Sequence, residues 1–443
     1  ATTSVEDPDA AGALARVREG RVVKLEGNPQ HPLTQGALSA RCHAALQGLY
    51  NPDRLTKPMA RNADGRLEEI NWQQAWELLG EYATDESGEH AWLTGHTSTS
   101  DADLIDMFSS SAGYRAPVNL RLYSEAPLAS AANRLFGTTG MPEFYFENAD
   151  LIVSINADFL ETWGQPISQI VGYTKMHKYE TDEHGGLSIY VGPRQSSTAA
   201  SCDRWVKMRP GVEAAALRLL ADSVMKRDTG ASTQEYTAAE YLLREVSLED
   251  ARAAVGEAAE ALEEVALEIS RAQAPLIIAS GLGTGAELAH GLALLLTHIA
   301  GGTGKTLSLP QQGRKPRGNP LSDVRALLND FAAGRVGTLL VHEANPAFQL
   351  AGYTEKLEEG KNLVYFGTQM DETASRADLV IPTHHYLESW GDQEIAADAV
   401  GLVQPVMRPI FGSRALADII LDTARRIGTA LPWRDGREYI ESR

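Results

Sequence analysis

The groups in this chain best suited to chemistry are few and scattered. Two cysteines, Cys42 and Cys202, lie far apart. Structural zinc and iron–sulfur centres need several soft thiolates, so a four-cysteine site cannot form within the chain, and no disulfide framework follows. THHYLE at 383–388 carries His384 and His385, with His31, His43 and His342 elsewhere. Neighbours on one strand point to opposite faces, so a metal shared by the pair is disfavoured and both read as loop or core residues. GGTGKT at 301–306 resembles half of a phosphate loop, but the glycine required five residues before Gly304 is Ile299, which argues against a Walker A motif. SGLGTGAE at 280–287 follows an apolar run and precedes a helical one. It fits either a tight strand-to-helix turn or a close backbone approach to a ligand phosphate. The acids of DLIDMF (103–108) and FENAD (146–150) read as helix-cap and loop residues rather than a general acid/base pair.

The elements that must position these groups alternate between strand and helix. ALARVREGRVVKLEGN alternates apolar and polar residues about Glu19-Gly20, the pattern of a hairpin, and the prolines of NPQHP then break it. Helical spacing runs from Trp72 to Tyr82, over 213–227, over 251–272, and in ELAHGLALLLTHIAG, SDVRALLNDFAAG and ALADIILDTARRIG. Between them lie apolar runs of strand length: AWLTG, ADLIVSINADF, LSIYVGPR, APLIIASG, TLLVHEANP, LVYFG and ADLVIPTHH. Apolar strands alternating with helices predict an α/β fold with parallel sheets covered on both faces and ligands bound beyond the carboxyl ends of the strands.

Length and composition bound the function. The 443 residues suit about three domains, and 43% hydrophobic with 22% charged residues is ordinary globular composition. A net charge of −19 repels phosphate backbones, so nucleic acid is an unsuitable partner and basic proteins are favoured. The longest apolar run, GLALLLTHI at 291–299, is far short of a membrane span and reads as a buried helix. A chain opening on Ala1 is expected to be processed, with any export signal already removed.

Four ordered stretches resemble the molybdopterin oxidoreductase superfamily, the dimethyl sulfoxide reductase and formate dehydrogenase group. The first is residues 17–59, with the hairpin, the Gly-Asn-Pro turn and Pro52 to Leu55. The second is VGPRQSSTAASCDRWVKMRPG, with Pro193-Arg194, Thr198-Ala199 and Arg209-Pro210-Gly211. The third is VHEANPAF, with Glu343 to Pro346, and the fourth MDETASRADLVIPTHHYLESWGDQE. The resemblance implies an N-terminal β-rich domain at 1–58, a discontinuous α/β lobe from 59–147 and 306–443, and a Rossmann-like lobe at 148–305. The family's C-terminal barrel is expected to be absent or to lie beyond Arg443.

The same resemblance locates the family's cofactor positions. Cluster-bearing relatives carry C-x2-C-x3-C and a later fourth cysteine; here those positions are Ser4, Asp7, Ala11 and Ser39. The spacing survives without sulfur, so no four-iron cluster is expected. Arg41 stands where relatives keep a basic residue between cluster and pterin. The metal-ligand position falls at about Ser124, which also suits a helix cap, and Arg194, Asn345 and Glu388 occupy the remaining pterin-site positions, Glu388 also suiting a buried turn.

LRLYSEAPLASAANRLFG, ADFLETWGQPISQ, and the stretch from Asp371 to Phe411 with QPVMRP (404–409) are most similar to the cofactor-free molybdopterin-oxidoreductase-like subunit of alternative complex III. That likeness implies a non-catalytic subunit of a membrane-bound quinol-oxidising respiratory or photosynthetic complex. It would lie peripherally on the extracytoplasmic (periplasmic) face of the cytoplasmic membrane. No cofactor is expected in this chain, and no residue is expected to be catalytic. Iron–sulfur clusters and haem c belong to the partners: a ferredoxin-like subunit, multihaem cytochromes c and integral quinol-binding subunits. Alternatives are a molybdenum-free subunit of a menaquinone reductase complex, an active bis-pterin molybdenum oxidoreductase, or a fold holding a nucleotide or pterin remnant.

Overall fold

The computed structural model describes residues 1–178, 185–227, 240–280 and 285–443. Contacts divide the chain into two units. One comprises 1–124, 317–395 and 399–443; the other comprises 125–316 and 396–398.

In the first unit, strands Gly12–Arg18 and Arg21–Gly27 form the expected hairpin, and Thr2–Thr3 adds a third antiparallel strand. The turn residues Glu19 and Gly20 both have positive φ, which matches the right-handed twist of a two-residue hairpin. Arg16 pairs with Lys24 but Val17 with Val22, so Val23 is an extra residue in the second strand. That bulge turns both Val22 and Leu25 inward although they are three residues apart.

The main sheet of this unit has seven strands in the order Leu67–Glu69, Met59–Arg61, Leu379–Pro382, Asn362–Gly367, Val336–His342, Glu89–Thr94, Val118–Asn119. The last five run parallel, and the first two are an antiparallel edge. Alternate residues feed separate cores on the two faces: Leu93, Leu339, Val341, Leu363 and Tyr365 on one, Trp92, Leu340, Val364 and Phe366 on the other. The strand order reverses between Glu89–Thr94 and Val336–His342, where a ligand crevice is expected. A Cβ on Gly95 there would lie 1.9 Å from the Glu343 carbonyl oxygen, so the backbones can meet only with glycine.

The second unit is built on a four-stranded parallel sheet, Arg204–Lys207, Leu187–Gly192, Leu151–Ile155, Pro275–Ala279. The helix expected over 251–272 is two helices, Leu248–Val255 and Ala258–Arg271. Gly256, at φ +63° and ψ −129°, takes a backbone conformation open to glycine that ends the first. GGTGKT follows the helix Ala286–Ile299 and is no strand-to-helix loop. Its Lys305 Nζ donates to Gln273 O at 2.6 Å and Thr306 Oγ1 to Pro275 O at 2.7 Å. Asp150 of FENAD accepts the backbone N–H groups of Gln273 and Ala274, a loop role. The glycines of SGLGTGAE at 281–284 lie outside the described residues.

Candidate functional site

The four positions picked out by the cysteine-like spacing converge in space. Ser4 N donates to Ala11 O at 2.8 Å. Asp7, nearly buried, accepts hydrogen bonds from Ser39 Oγ and from Cys42 Sγ, the latter at 3.0 Å. Ser39 Oγ also caps the helix Ala40–Leu49 by accepting from Cys42 N at 3.1 Å. Ser4 Oγ lies 3.3 Å from Tyr386 OH, and Arg41 approaches Asp7 at 3.9 Å. Burial, reinforced by the Asp7 carboxylate, pushes the Cys42 thiol up to about 12, so it is a hydrogen-bond donor rather than a thiolate ligand. Two hydroxyls, a methyl group and a committed carboxylate do not fit an iron–sulfur cluster, which needs four anionic sulfurs or their equivalent.

The residues at the family's pterin positions are each engaged elsewhere within the chain. Ser124 Oγ donates to Gly318 O at 2.8 Å; it lies one residue before the N-cap position of the helix Ala126–Phe136 and so is not the helix cap that its type suggests. Arg194 is ion-paired at 2.6 Å with Asp158, which also accepts from Tyr190 OH and Ser196 Oγ. The helix after Arg209-Pro210-Gly211 opens on Glu213, whose carboxylate accepts from Gly211 N and Asn156 Nδ2, so the chain supplies its own anion there. Asn345 caps the helix Pro346–Gln349, accepts from Thr373 Oγ1 and donates to Glu372 at 2.6 Å. Glu388 is fully buried against Arg54 at 2.8 Å and accepts the N–H groups of Ile410 and His385. Burial opposes its ionisation, but the Arg54 guanidinium and these amides outweigh it and hold the carboxyl below its ordinary value. Ser124, Asn345 and Glu388 thus have their polar groups committed within the chain, whereas Arg194 keeps most of its guanidinium exposed beside its ion pair.

What the first unit does hold is a cavity of about 550 Å³ at the carboxyl ends of its parallel strands. Strand ends contribute His96, His342-Glu343, Asp371 and His384-His385; the N-terminal segment adds Glu6 and the helix Ala40–Leu49 adds Arg41. The strand carrying the two histidines stops at Pro382, so both belong to the following loop, and His385 caps the short turn Tyr386–Glu388. Burial, with Asp7 adding and Arg41 opposing, lifts Glu6 to about 7. Burial likewise lifts Glu343 to about 7, against the amide of Thr368, and Asp101 to about 6, against the Ser98 hydroxyl. It depresses His342 to about 3, and His96 to about 3 with help from Arg121. It also depresses His385 to about 4. Imidazoles are therefore neutral at pH 7 and Glu6 and Glu343 are poised between forms. His385 Nε2 is 3.7 Å from Glu6 Oε1, and His342 Nδ1 is 3.3 Å from Thr97 Oγ1. Among the described residues no group of three or more His, Cys, Asp or Glu is arranged to hold a metal ion. The walls offer hydrogen bonds and protons.

Of these lining groups only Arg41 is a site position expected from the sequence. His96, Glu343 and His384 each follow the end of a recognisable strand by one or two residues, a signal the carboxyl-edge rule could have used. Glu6 and Asp101 carry no such signal.

The molybdopterin oxidoreductase family profile matches residues 54–426. The chain is 28% identical to the menaquinone reductase molybdopterin-binding-like subunit of Nitratidesulfovibrio vulgaris over 97% of its own length and 65% of that protein's. It is 25% identical to a sulfite dehydrogenase chain of Allochromatium vinosum, over 54% of this chain and 25% of that one. The chain thus spans less than two thirds of the length of both curated relatives. Among solved structures, acetylene hydratase from Pelobacter acetylenicus superposes with a TM-score of 0.81 at 16% identity, covering 100% of this chain and 71% of that one. That likeness shows a shared α/β fold. A match over most of the chain, with that fold, settles the family: this chain belongs to the molybdopterin oxidoreductases.

Proposed function

We propose that this chain is a non-catalytic structural subunit of a membrane-bound quinone-linked electron-transfer complex, peripheral on its extracytoplasmic face. Its partners would carry the iron–sulfur clusters and haem c and would bind the quinol. The observation that carries this reading is the knot around Asp7. Of the family's cluster positions, Asp7 and Ser39 are bonded to each other through their side chains and Ser4 and Ala11 through their backbones, with no thiolate among them. The committed state of Asn345 and Glu388 supports the same reading for the pterin and argues against an active bis-pterin enzyme. Redox centres then reside in neighbouring polypeptides, and this fold holds them in place.

Between the two complexes that the sequence resembles, the match of 97% of this chain to part of a menaquinone reductase subunit favours a molybdenum-free role in a complex of that kind over alternative complex III. The test is metal analysis of the isolated chain, together with nucleotide analysis after acid denaturation. Neither iron nor molybdenum is expected above trace level, and no guanine dinucleotide. A stoichiometric amount of any of the three overturns the reading.

A further inference from the structure

Carboxylates outnumber basic residues 59 to 40 in this chain, and many of its guanidiniums sit beside one, as at Arg54, Arg115, Arg194 and Arg443. Arg16, Arg18, Arg21 and Arg408 are different. All four are exposed, and among the described residues none has an ion-pair partner. Three of them share the N-terminal hairpin with Lys24 as two like-charged cross-strand pairs, Arg16 opposite Lys24 and Arg18 opposite Arg21. Like charges directly opposite one another weaken an antiparallel pair. Glu26 relieves Lys24 at 2.7 Å and also feels Arg16, but among the described residues no carboxylate lies within ion-pair distance of the three arginines. The exposed side chains of Leu14 and Val23 lie on the same outward face, whereas Val17, opposite the buried Val22, lies on the other.

The hairpin turn also forms one wall of a groove of about 710 Å³. The other wall is Pro405–Ile410, most of the QPVMRP stretch. Its lining is Pro405, Val406, Met407, Pro409 and Ile410, with Arg21 and Arg408 as the cations and Glu19 as the single acid. Strand Arg21–Gly27 is an edge of its sheet and runs away from this groove.

We propose that this face of the hairpin and the groove beside it dock an extended acidic segment of a partner polypeptide. The guanidiniums take carboxylates in paired hydrogen bonds, and the proline- and methionine-lined groove takes the apolar residues between them. A walled groove beside a strand edge matches a chain; a flat anionic bilayer would reach the turn and miss the groove. The net charge of −19 makes the surface as a whole repel such a segment, so the patch favours one orientation as well as contact. The proposal goes beyond the role described above. It requires a partner protein and is indifferent to where the redox centres lie.

The test uses the full chain in its native membranes, with Val23 or Met407 replaced singly by photoreactive p-benzoyl-phenylalanine. After irradiation, the cross-linked peptide is sequenced by mass spectrometry. One segment of net negative charge, captured from both positions, is expected. A lipid adduct, a neutral or basic segment, or no adduct at either position overturns the proposal. In parallel, Arg18→Gln/Arg21→Gln should lower the salt concentration that releases the chain from its partners by about twofold or more. Its melting temperature should stay level or rise, because a like-charged pair is gone, which separates lost docking from lost folding. Unchanged release by salt counts against the proposal. So does arginine-dependent co-sedimentation of the purified chain with phosphatidylcholine–phosphatidylglycerol vesicles.

Discussion

At the scale of single residues, Asp7 decides more than any other side chain here. It draws the Ser39 hydroxyl and the Cys42 thiol onto one carboxylate and so ties the N-terminal segment to the helix Ala40–Leu49. Hydrogen bonds to a charged acceptor contribute about 1.5–3 kcal/mol each, more than neutral ones. Asp7→Asn keeps the shape but removes the charge, so a loss of about 1–2 kcal/mol in denaturant unfolding is expected. Cys42 reports the same change independently. Its thiol is held near 12 by burial and by Asp7, and removing the negative charge should lower it. Modification by a thiol reagent at pH 9 should therefore quicken in the variant while Cys202 reacts unchanged. Equal Cys42 rates in the two proteins would remove Asp7 from its assigned role. That the four cluster positions lack sulfur was legible from spacing alone. That Asp7 and Ser39 bond to each other was not, because Ser39 is brought to Asp7 only by the fold.

At the scale of elements, the fully buried Arg54–Glu388 pair joins the segment before the strand Met59–Arg61 to the turn after the strand Leu379–Pro382. Arg54 also donates to Leu49 O at 3.0 Å. Breaking a buried pair from one side leaves an uncompensated charge and costs about 3–5 kcal/mol. Arg54→Met is expected to lose that much, while Glu388→Gln, which keeps an acceptor for Ile410 N and His385 N, should lose less. Equal losses in urea denaturation would show that the charge of Glu388 is not what Arg54 compensates.

The strands and most helices were legible because their apolar runs are long and strictly periodic. The break at Gly256 was not, since one glycine in an Ala/Glu-rich run is tolerated in many helices and only its positive φ reveals the end. The cavity was least legible. Its groups come from strand ends far apart in sequence, and nothing local in HEA, GHT or THHY says that they meet.

At the scale of the whole molecule, the cavity makes stability depend on pH from both sides. Glu6 and Glu343, near 7 against an ordinary 4.5, favour the folded state fully below about pH 4.5 and lose that contribution as pH rises through 7. His96 and His342, near 3, and His385, near 4, against an ordinary 6.5, favour it fully above pH 6.5 and lose that contribution as pH falls towards their folded values. Unfolding free energy plotted against pH should form a dome with its top on the acid side of neutrality. Glu6→Gln/Glu343→Gln should flatten the alkaline limb between pH 5 and 8 and leave the acid limb in place. Denaturation midpoints at a series of pH values measure this, and parallel limbs in both proteins would mean that these carboxyls are not the source.

The tie between the N-terminal segment and the first helix has a consequence for how such a protein is made. A fold cross-linked there by a metal cluster has to wait for sulfide and for a loading apparatus, and it is undone by oxygen. A tie of one hydroxyl and one thiol on a carboxylate forms as soon as the chain closes and waits for no metal.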